Sequence, residues 1–186
     1  MRKLSVYNTI SLDGYFVDAH NDMNWAHRND PEWNEFVAGN ASGGGMLVLG
    51  RVTYDMMAGF WPTPFAIDNM PAVASRMNAM PKLVCSRTMT SAAWQNTRIV
   101  RDDIAAEIGA IKATSGEVMT ILGSGSIVAQ LAAAGLIDEY QLVLSPVALG
   151  GGRTLFAGLP AHLPLKRTGV RAFGNGNVVV TYTPAG

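Results

Sequence analysis

The stretch that decides the fold reads Val118-Met119-Thr120-Ile121-Leu122-Gly123-Ser124-Gly125-Ser126 and continues through residues 127–136. Its first five residues are mostly apolar, as in a strand that is covered on both faces of a sheet. The two glycines allow a positive φ and a close backbone approach, and either serine can cap a following helix. The pattern predicts a buried strand, a tight turn and a helix whose N-terminus favours an anion. Turn geometry alone would also require glycine, so this stretch by itself leaves both interpretations open.

Two earlier segments repeat the order of a short apolar strand followed by a polar turn. The strand at residues 46–49 leads into Gly50-Arg51-Val52-Thr53-Tyr54, where a helix is expected to begin. The strand at residues 82–85 leads into Ser86-Arg87-Thr88. In an open parallel sheet the carboxyl ends of the strands lie along one edge, so the three turns are expected to meet there.

The remaining segments define the fold class. A β-prone segment opens the chain at residues 3–9, and Asp30-Pro31-Glu32 has the sequence of a helix start. Residues 59–81 contain four prolines and are expected to form a long connection with at most a short helix from Pro71. The tail predicts two strands joined by Gly174-Asn175-Gly176-Asn177. We therefore expect one α/β domain over residues 1–186, with three α/β/α layers, a mixed, mostly parallel sheet and an antiparallel C-terminal hairpin.

Composition excludes several classes of function. The chain of 186 residues carries 14 Lys and Arg against 14 Asp and Glu, so it has no overall field for nucleic acid or anionic lipid. Cys85 is the only cysteine, which excludes an internal disulfide and a cysteine-based zinc site. No signal-peptide pattern and no apolar run of about 18 residues is present. We expect a cytoplasmic protein without a membrane or nucleic-acid partner.

The three strand-end turns together favour a phosphorylated ligand. They offer backbone donors, hydroxyls and the guanidinium groups of Arg51 and Arg87, and they contain no carboxylate. A dinucleotide that carries a 2′-phosphate suits this set, because a guanidinium binds phosphate bidentately. The alternative is that both arginines are solvated surface charges and the hydroxyls are caps. The doubly wound dinucleotide fold is disfavoured, because Val128 stands where its third glycine would be and no acid follows for the ribose.

Other chemistries have little support in the sequence. There is no G-x-S-x-G nucleophile motif and no P-loop lysine. His20, His27 and His162 are scattered and form no helical i, i+4 pair, so no metal site is predicted. Cys85, inside an apolar strand, is interpreted as a core thiol.

With these residues in view, the chain resembles the dihydrofolate reductase-like superfamily. It is most similar to the branch that contains the C-terminal reductase domain of riboflavin-biosynthesis enzymes, the RibD C-terminal domain. The resemblance runs from residue 3 to about residue 182 and rests on five stretches: residues 11–15, residues 49–54, residues 82–88 with Trp94, residues 122–126, and residues 137–156 with their Gly150-Gly151-Gly152-Arg153-Thr154 segment.

The resemblance implies NADPH as the hydride donor and assigns roles to matched positions. The cofactor phosphates would be lined by Gly50, Arg51 and Thr53, and the 2′-phosphate by Ser86, Arg87 and Thr88. The pyrophosphate and nicotinamide half would lie against Gly123, Ser124, Gly125, Ser126 and Ile127. On the substrate side, Asp13 would orient the substrate or manage a proton, and the walls would be Trp25, Tyr54 and Trp61.

The resulting hypothesis is an NADPH-dependent reductase. Its substrate would be a small heterocycle, either a pterin or a pyrimidine riboside of the 5-amino-6-(5-phosphoribosylamino)uracil reductase type. The alternative is a nucleotide-binding protein of the same fold without turnover, because no proton donor can be assigned: Asp30 has the sequence of a helix cap. The resemblance also implies a homodimer, since relatives pair through their C-terminal strands.

Overall fold

A computed structural model of the protein describes residues 1–42 and 45–186. The strands are β1 (Leu4–Ser11), β2 (Tyr15–Val17), β3 (Met46–Gly50), β4 (Lys82–Cys85), β5 (Thr97–Val100), β6 (Met119–Leu122), β7 (Glu139–Ser145), β8 (Arg153–Thr154), β9 (Leu165–Ala172) and β10 (Val178–Pro184). The α-helices are α1 (Pro31–Ser42), α2 (Arg51–Ala58), α3 (Pro64–Asn69), α4 (Pro71–Ala79), α5 (Ile104–Ala113) and α6 (Gly125–Ala133). A short 3-10 helix spans Asn24–Ala26.

Eight of these strands form one sheet in the order β5-β4-β3-β6-β1-β7-β10-β9. The five pairings from β5 to β7 are parallel, and the pairings of β10 with β7 and β9 are antiparallel. The predicted mixed, mostly parallel sheet with an antiparallel C-terminal hairpin is therefore confirmed. The hairpin turn closes where Gly176, with φ 87°, donates its N–H to the Phe173 carbonyl at 3.0 Å.

Helices cover both faces of the sheet because the side chains of β1 alternate between two cores. Leu4 and Val6 belong to a cluster that also contains Ile108 of α5 and Leu131 of α6. Tyr7 points to the other face, where it packs against a second cluster with Trp33, Val143, Phe173 and Val179. Trp33 of α1 meets Phe173 edge to face, with ring centroids 5.0 Å apart. The three-layer arrangement predicted from the sequence is thus present.

The segment at residues 59–81 differs from the prediction, because it contains two helices and not one at most. Pro64 and Pro71 each occupy the first turn of a helix, where a missing N–H costs nothing. The Thr63 hydroxyl accepts the Ala66 N–H at 3.3 Å and caps α3. The prolines therefore start helices here and do not interrupt them.

A two-stranded antiparallel ribbon, β2 with β8, lies apart from the main sheet. It pairs Tyr15 with Thr154 and Val17 with Arg153. Gly152 has φ 144° and lies against the Val17 carbonyl so closely that a Cβ there would clash. This approach brings the glycine-rich segment after β7 onto the chain that follows β1.

Candidate functional site

A cleft of about 520 Å³ lies at the carboxyl ends of β3, β4 and β6. Its lining residues are Phe16, Gly50, Arg51, Val52, Thr53, Cys85, Ser124, Gly125, Ser126, Ile127, Gly152, Arg153, Thr154 and Ala157. Two of these side chains are cationic, and none carries a carboxylate. A larger, more open depression of about 810 Å³ between Phe156 and Leu165 touches none of the three strand-end turns. The cleft, which combines donors with positive charge, is therefore the candidate site.

Two helices begin in this cleft. α2 begins at Arg51, directly after the extended residue Gly50, and α6 begins at Gly125, directly after Ser124. The first N–H groups of a helix have no partner within it, and the helix dipole makes that end positive. The residues of both first turns, including Thr53 and Ser126, line the cleft. The site is therefore suited to a ligand that carries several anionic oxygens.

Ser124 connects the two helix starts through its side chain. Its hydroxyl oxygen accepts the Gly50 N–H at 2.8 Å, and the hydroxyl donates to the Leu122 carbonyl at 2.8 Å. Thr53 Oγ1 lies 3.2 Å from the same oxygen. The expectation that a serine side chain caps α6 is wrong, because Ser124 has the left-handed φ of 60° and makes no capping hydrogen bond. Its hydroxyl is used to hold α2 against the turn.

Gly123 provides the close approach that the sequence predicted. Its φ is 56°, and a Cβ at this position would lie 2.7 Å from Thr53 Oγ1. Asn8, which is buried on β1, binds both backbone polar groups of Gly123 through its side-chain amide. It donates from Nδ2 to the Gly123 carbonyl at 3.1 Å and accepts the Gly123 N–H at 2.7 Å. No local sequence pattern predicts this role of Asn8, because it depends on the pairing of β1 with β6.

The β2–β8 ribbon forms a further wall of the cleft and contacts the start of α6. A Cβ on Gly125 would lie 2.9 Å from Cε1 of Phe16 and 3.1 Å from the Thr154 carbonyl oxygen. The Arg153 guanidinium lies over the Phe16 ring, 5.6 Å from its centroid. The lining residues that were not predicted are Phe16, Val52, Cys85, Gly152, Arg153, Thr154 and Ala157. The glycine run before Arg153 was the one signal that could have found this wall.

Asp13 lies outside the cleft lining and anchors the segment that leads to this wall. Its carboxylate accepts the Ser11 hydroxyl at 2.6 Å, the Gly150 N–H at 2.8 Å and the Leu149 N–H at 3.0 Å. The Ser11 hydrogen bond first, and then the Gly150 N–H, lower the pKa of Asp13 to about 2. Asp13 is therefore an anion at neutral pH, and its oxygens are used by donors of the chain itself.

The predicted 2′-phosphate residues follow β4 and lie beside the cleft, which they do not line. The Ser86 hydroxyl oxygen accepts the N–H groups of Met89 at 3.1 Å and Thr88 at 3.3 Å, so it shapes the turn. Arg87 and Thr88 are exposed. Cys85, the last residue of β4, lines the cleft, and burial raises the pKa of its thiol to about 11. The thiol is thus neutral at physiological pH.

Of the three aromatic residues predicted as substrate walls, Tyr54 and Trp61 share one core cluster and Trp25 lies in the 3-10 helix. Tyr54 is buried, and its hydroxyl oxygen accepts the Trp94 N–H at 2.9 Å. Trp61 packs on the same core cluster, and its carbonyl accepts from Asn78. Trp25 is half-buried in the 3-10 helix and donates from Nε1 to the Asp22 carbonyl. None of the three lines the cleft.

Asp30 caps α1, as its sequence context predicted. Its Oδ1 accepts the Trp33 N–H at 2.9 Å. Over residues 1–42 and 45–186 there is no group of three or more His, Cys, Asp or Glu side chains that could hold a metal ion. None of the helices in those ranges is long and apolar enough to cross a membrane.

Comparison with known proteins gives a consistent result. The model of the RibD C-terminal domain family matches residues 2–179. The uncharacterised protein YyaP of Bacillus subtilis is 24% identical over 182 residues, which cover 97% of this chain and 94% of that protein. A solved structure from Shewanella sp. PV-4, assigned to riboflavin biosynthesis, has a TM-score of 0.75 at 25% identity and covers 99% of both chains.

The fold extends to a more distant solved structure. The dihydrofolate reductase of Enterococcus faecalis, complexed with NADP(H), has a TM-score of 0.65 at 14% identity and covers 99% of this chain and 97% of its own. At that identity the likeness concerns the fold alone. Because the family model spans nearly the whole length, the chain belongs to the RibD C-terminal domain family.

Proposed function

We propose that the protein is an NADPH-dependent reductase that transfers a hydride to a small heterocyclic substrate, either a pterin or a pyrimidine riboside. The family and its reductase neighbours support an oxidoreductase of this type. The observation that carries the finer proposal is the cleft in which the N-termini of α2 and α6 meet beside Arg51, with no acidic side chain in its lining.

The residues of the cleft fit a phosphorylated dinucleotide. Gly50 and Gly125 line the cleft without a side chain of their own, and the first N–H groups of α2 and α6 have no partner within their helices. NADPH supplies the hydride from its reduced nicotinamide ring. The role of the protein is to bind the phosphates, orient the ring and exclude water from the reacting atoms.

We place the 2′-phosphate at Ser86, Arg87 and Thr88. These residues follow Cys85, which itself lines the cleft, so they extend the site along the same edge of the sheet. Arg87 is exposed, and within the part of the chain that the structure describes it has no carboxylate partner. A free guanidinium beside the cleft supports a preference for NADPH over NADH.

On the substrate side we propose Asp13 as an orienting residue. Its carboxylate fixes the N–H groups of Leu149 and Gly150, and through them the segment that leads to the β8 wall. Trp25 remains our candidate for a substrate wall, because it is half-buried in the stretch of chain between β2 and α1. Tyr54 and Trp61 would act by supporting α2 from the core.

Titration with NADPH and NADH tests the cofactor assignment. We expect the protein to bind NADPH more tightly than NADH. Arg87→Ala is expected to lower the affinity for NADPH about tenfold and to leave the affinity for NADH nearly unchanged. Arg167→Ala, an exposed arginine on β9, is the matched control and should alter neither affinity. Equal affinity of the wild-type protein for both nucleotides, or an unchanged preference in Arg87→Ala, would refute the 2′-phosphate assignment.

The second candidate function is a nucleotide-binding protein without turnover. It is favoured by the cleft lining, which offers no acidic side chain as a proton donor, and by Asp30, whose carboxylate is used as a helix cap. Loss of NADPH absorbance with a panel of pterins and pyrimidine ribosides separates the two functions. Binding of NADPH without oxidation by any member of the panel favours this second function.

A further inference from the structure

We propose that Arg153 is a phosphate-binding residue of the cleft and that it contacts the pyrophosphate of the bound dinucleotide. It would do so from the β2–β8 ribbon, which lines the cleft together with the starts of α2 and α6. The inference rests on the proposed function and adds a residue to it. No resemblance or strand-end pattern pointed to this arginine as a ligand-binding residue.

Arg153 lies in the cleft close to the start of α6. Arg153 lines the same cleft as Gly125 and Ser126, the first residues of α6. The carbonyl oxygen of the next residue, Thr154, lies 3.1 Å from where a Cβ on Gly125 would be. The backbone of β8 therefore touches the start of α6. An anion seated at the first turn of that helix would therefore share the cleft with Arg153.

The positive charge of Arg153 is available to an anionic ligand. The cleft contains two cationic side chains, and Arg51 is already paired with Asp55 at 3.1 Å. Across residues 1–42 and 45–186, Arg153 has no carboxylate within ion-pair distance. Its guanidinium instead lies over the ring of Phe16. A guanidinium on an aromatic face keeps its N–H edge free to donate, and that edge matches two phosphate oxygens.

The segment that carries Arg153 is held in place by contacts at several points along its length. Asp13 binds the N–H groups of Leu149 and Gly150 at the start of the segment. Gly152 lies against the Val17 carbonyl, where no other residue fits, and β8 then pairs with β2. A surface arginine without a ligand would not require this arrangement. The segment is built to place Arg153 at the cleft.

The surroundings of Arg153 favour the pyrophosphate as its ligand over the 2′-phosphate. Arg153 lies in the cleft beside the start of α6, where Gly125 and Ser126 also line the cleft and the first N–H groups have no partner within the helix. The 2′-phosphate is placed at Arg87, beyond the end of β4. The two assignments make different predictions, since NADPH and NADH share the pyrophosphate and differ only in the 2′-phosphate.

The test compares nucleotide affinities of Arg153→Met with those of the wild-type protein. In Arg153→Met we expect the affinities for NADPH and NADH to fall by the same factor, about tenfold, so that the preference between them is unchanged. Arg153→Lys keeps the charge without the planar fork and is expected to recover part of the affinity. Arg167→Met removes the same charge from β9, outside the cleft, and should leave both affinities at the wild-type value.

Two results would overturn the inference while the proposed function stands. The first is unchanged affinity for both nucleotides in a folded Arg153→Met protein, with folding checked by its thermal transition. The second is a loss confined to NADPH, which would assign Arg153 to the 2′-phosphate. Failure of the wild-type protein to bind either nucleotide is a different result, because it would refute the proposed function and this inference with it.

Discussion

At the scale of single residues, Ser124 contributes most to the shape of the cleft. It takes the left-handed conformation that only a few residue types adopt readily, at φ 60°. Its hydroxyl satisfies the Gly50 N–H and the Leu122 carbonyl at once. One side chain therefore fixes the distance between the ends of β3 and β6, and with it the spacing of the two helix starts.

We predict that Ser124→Ala lowers the free energy of unfolding by about 1–2 kcal/mol, because the part-buried Gly50 N–H and Leu122 carbonyl both lose a partner. NADPH affinity should fall several-fold as α2 moves relative to α6. Denaturant unfolding and nucleotide titration measure the two effects. Ser126→Ala, which removes an exposed hydroxyl from the same helix, should change stability by no more than about 0.5 kcal/mol. Equal stability of the two variants would contradict the bridging role.

At the scale of elements, the segment between β7 and β8 acts as one unit because Asp13 holds its beginning and the pairing with β2 holds its end. The ribbon has only two residues in β8, so pairing alone would hold it weakly. The charge-assisted hydrogen bonds of Asp13 supply the additional constraint. This explains why a carboxylate stands in the turn after β1.

We predict that Asp13→Asn increases amide hydrogen exchange at Leu149 and Gly150, because the neutral amide replaces a carboxylate that accepts both N–H groups. Since folding lowers the pKa of Asp13, its contribution to stability is present above its usual pKa and is lost as the pH falls towards 2. The same loss of protection, measured against the intrinsic exchange rate at each pH, should therefore also appear in the wild-type protein at low pH.

Asp18→Asn is the matched control for this experiment. Asp18 accepts the N–H groups of His20 and Asp22 within its own loop. Its replacement should increase exchange at those two amides and leave Leu149 and Gly150 unaffected. If Asp13→Asn leaves the exchange at Leu149 and Gly150 at the wild-type rate, Asp13 is not the anchor of the segment.

At the scale of the whole molecule, one end of the sheet is formed by β9, whose outer edge offers unpaired backbone groups. Val170 of this strand is 56% exposed. We propose that this edge takes part in a homodimer. An exposed apolar residue on an unpaired edge strand favours association with a second copy.

We predict that the protein sediments as a dimer at micromolar concentration and that Val170→Lys shifts it towards the monomer, because a lysine at an edge opposes strand pairing. Ile67→Lys introduces the same charge at an exposed apolar position on α3 and should leave the dimer intact. A monomeric wild-type protein, or an equal effect of both variants, would argue against β9 as the interface.

The sequence alone determined the fold class and one wall of the cleft. Apolar strands followed by Gly50, Ser86 and Gly123 predict parallel strands with polar ends at one edge, because backbone geometry and burial are read locally. It failed at residues 59–81, where at most one short helix from Pro71 is expected and the structure also begins a helix at Pro64. Proline both ends helices and begins them, and only the hydrogen bonds around it distinguish the two.

Only the tertiary structure decided what depends on partners distant in the chain. Asn8 meets Gly123, and Asp13 meets Gly150, through contacts that span more than a hundred residues. The same is true of the wall that carries Arg153, which exists because β8 pairs with β2. A local pattern specifies which backbone conformation a segment adopts, but which side chain reaches it from elsewhere is set by packing of the whole chain.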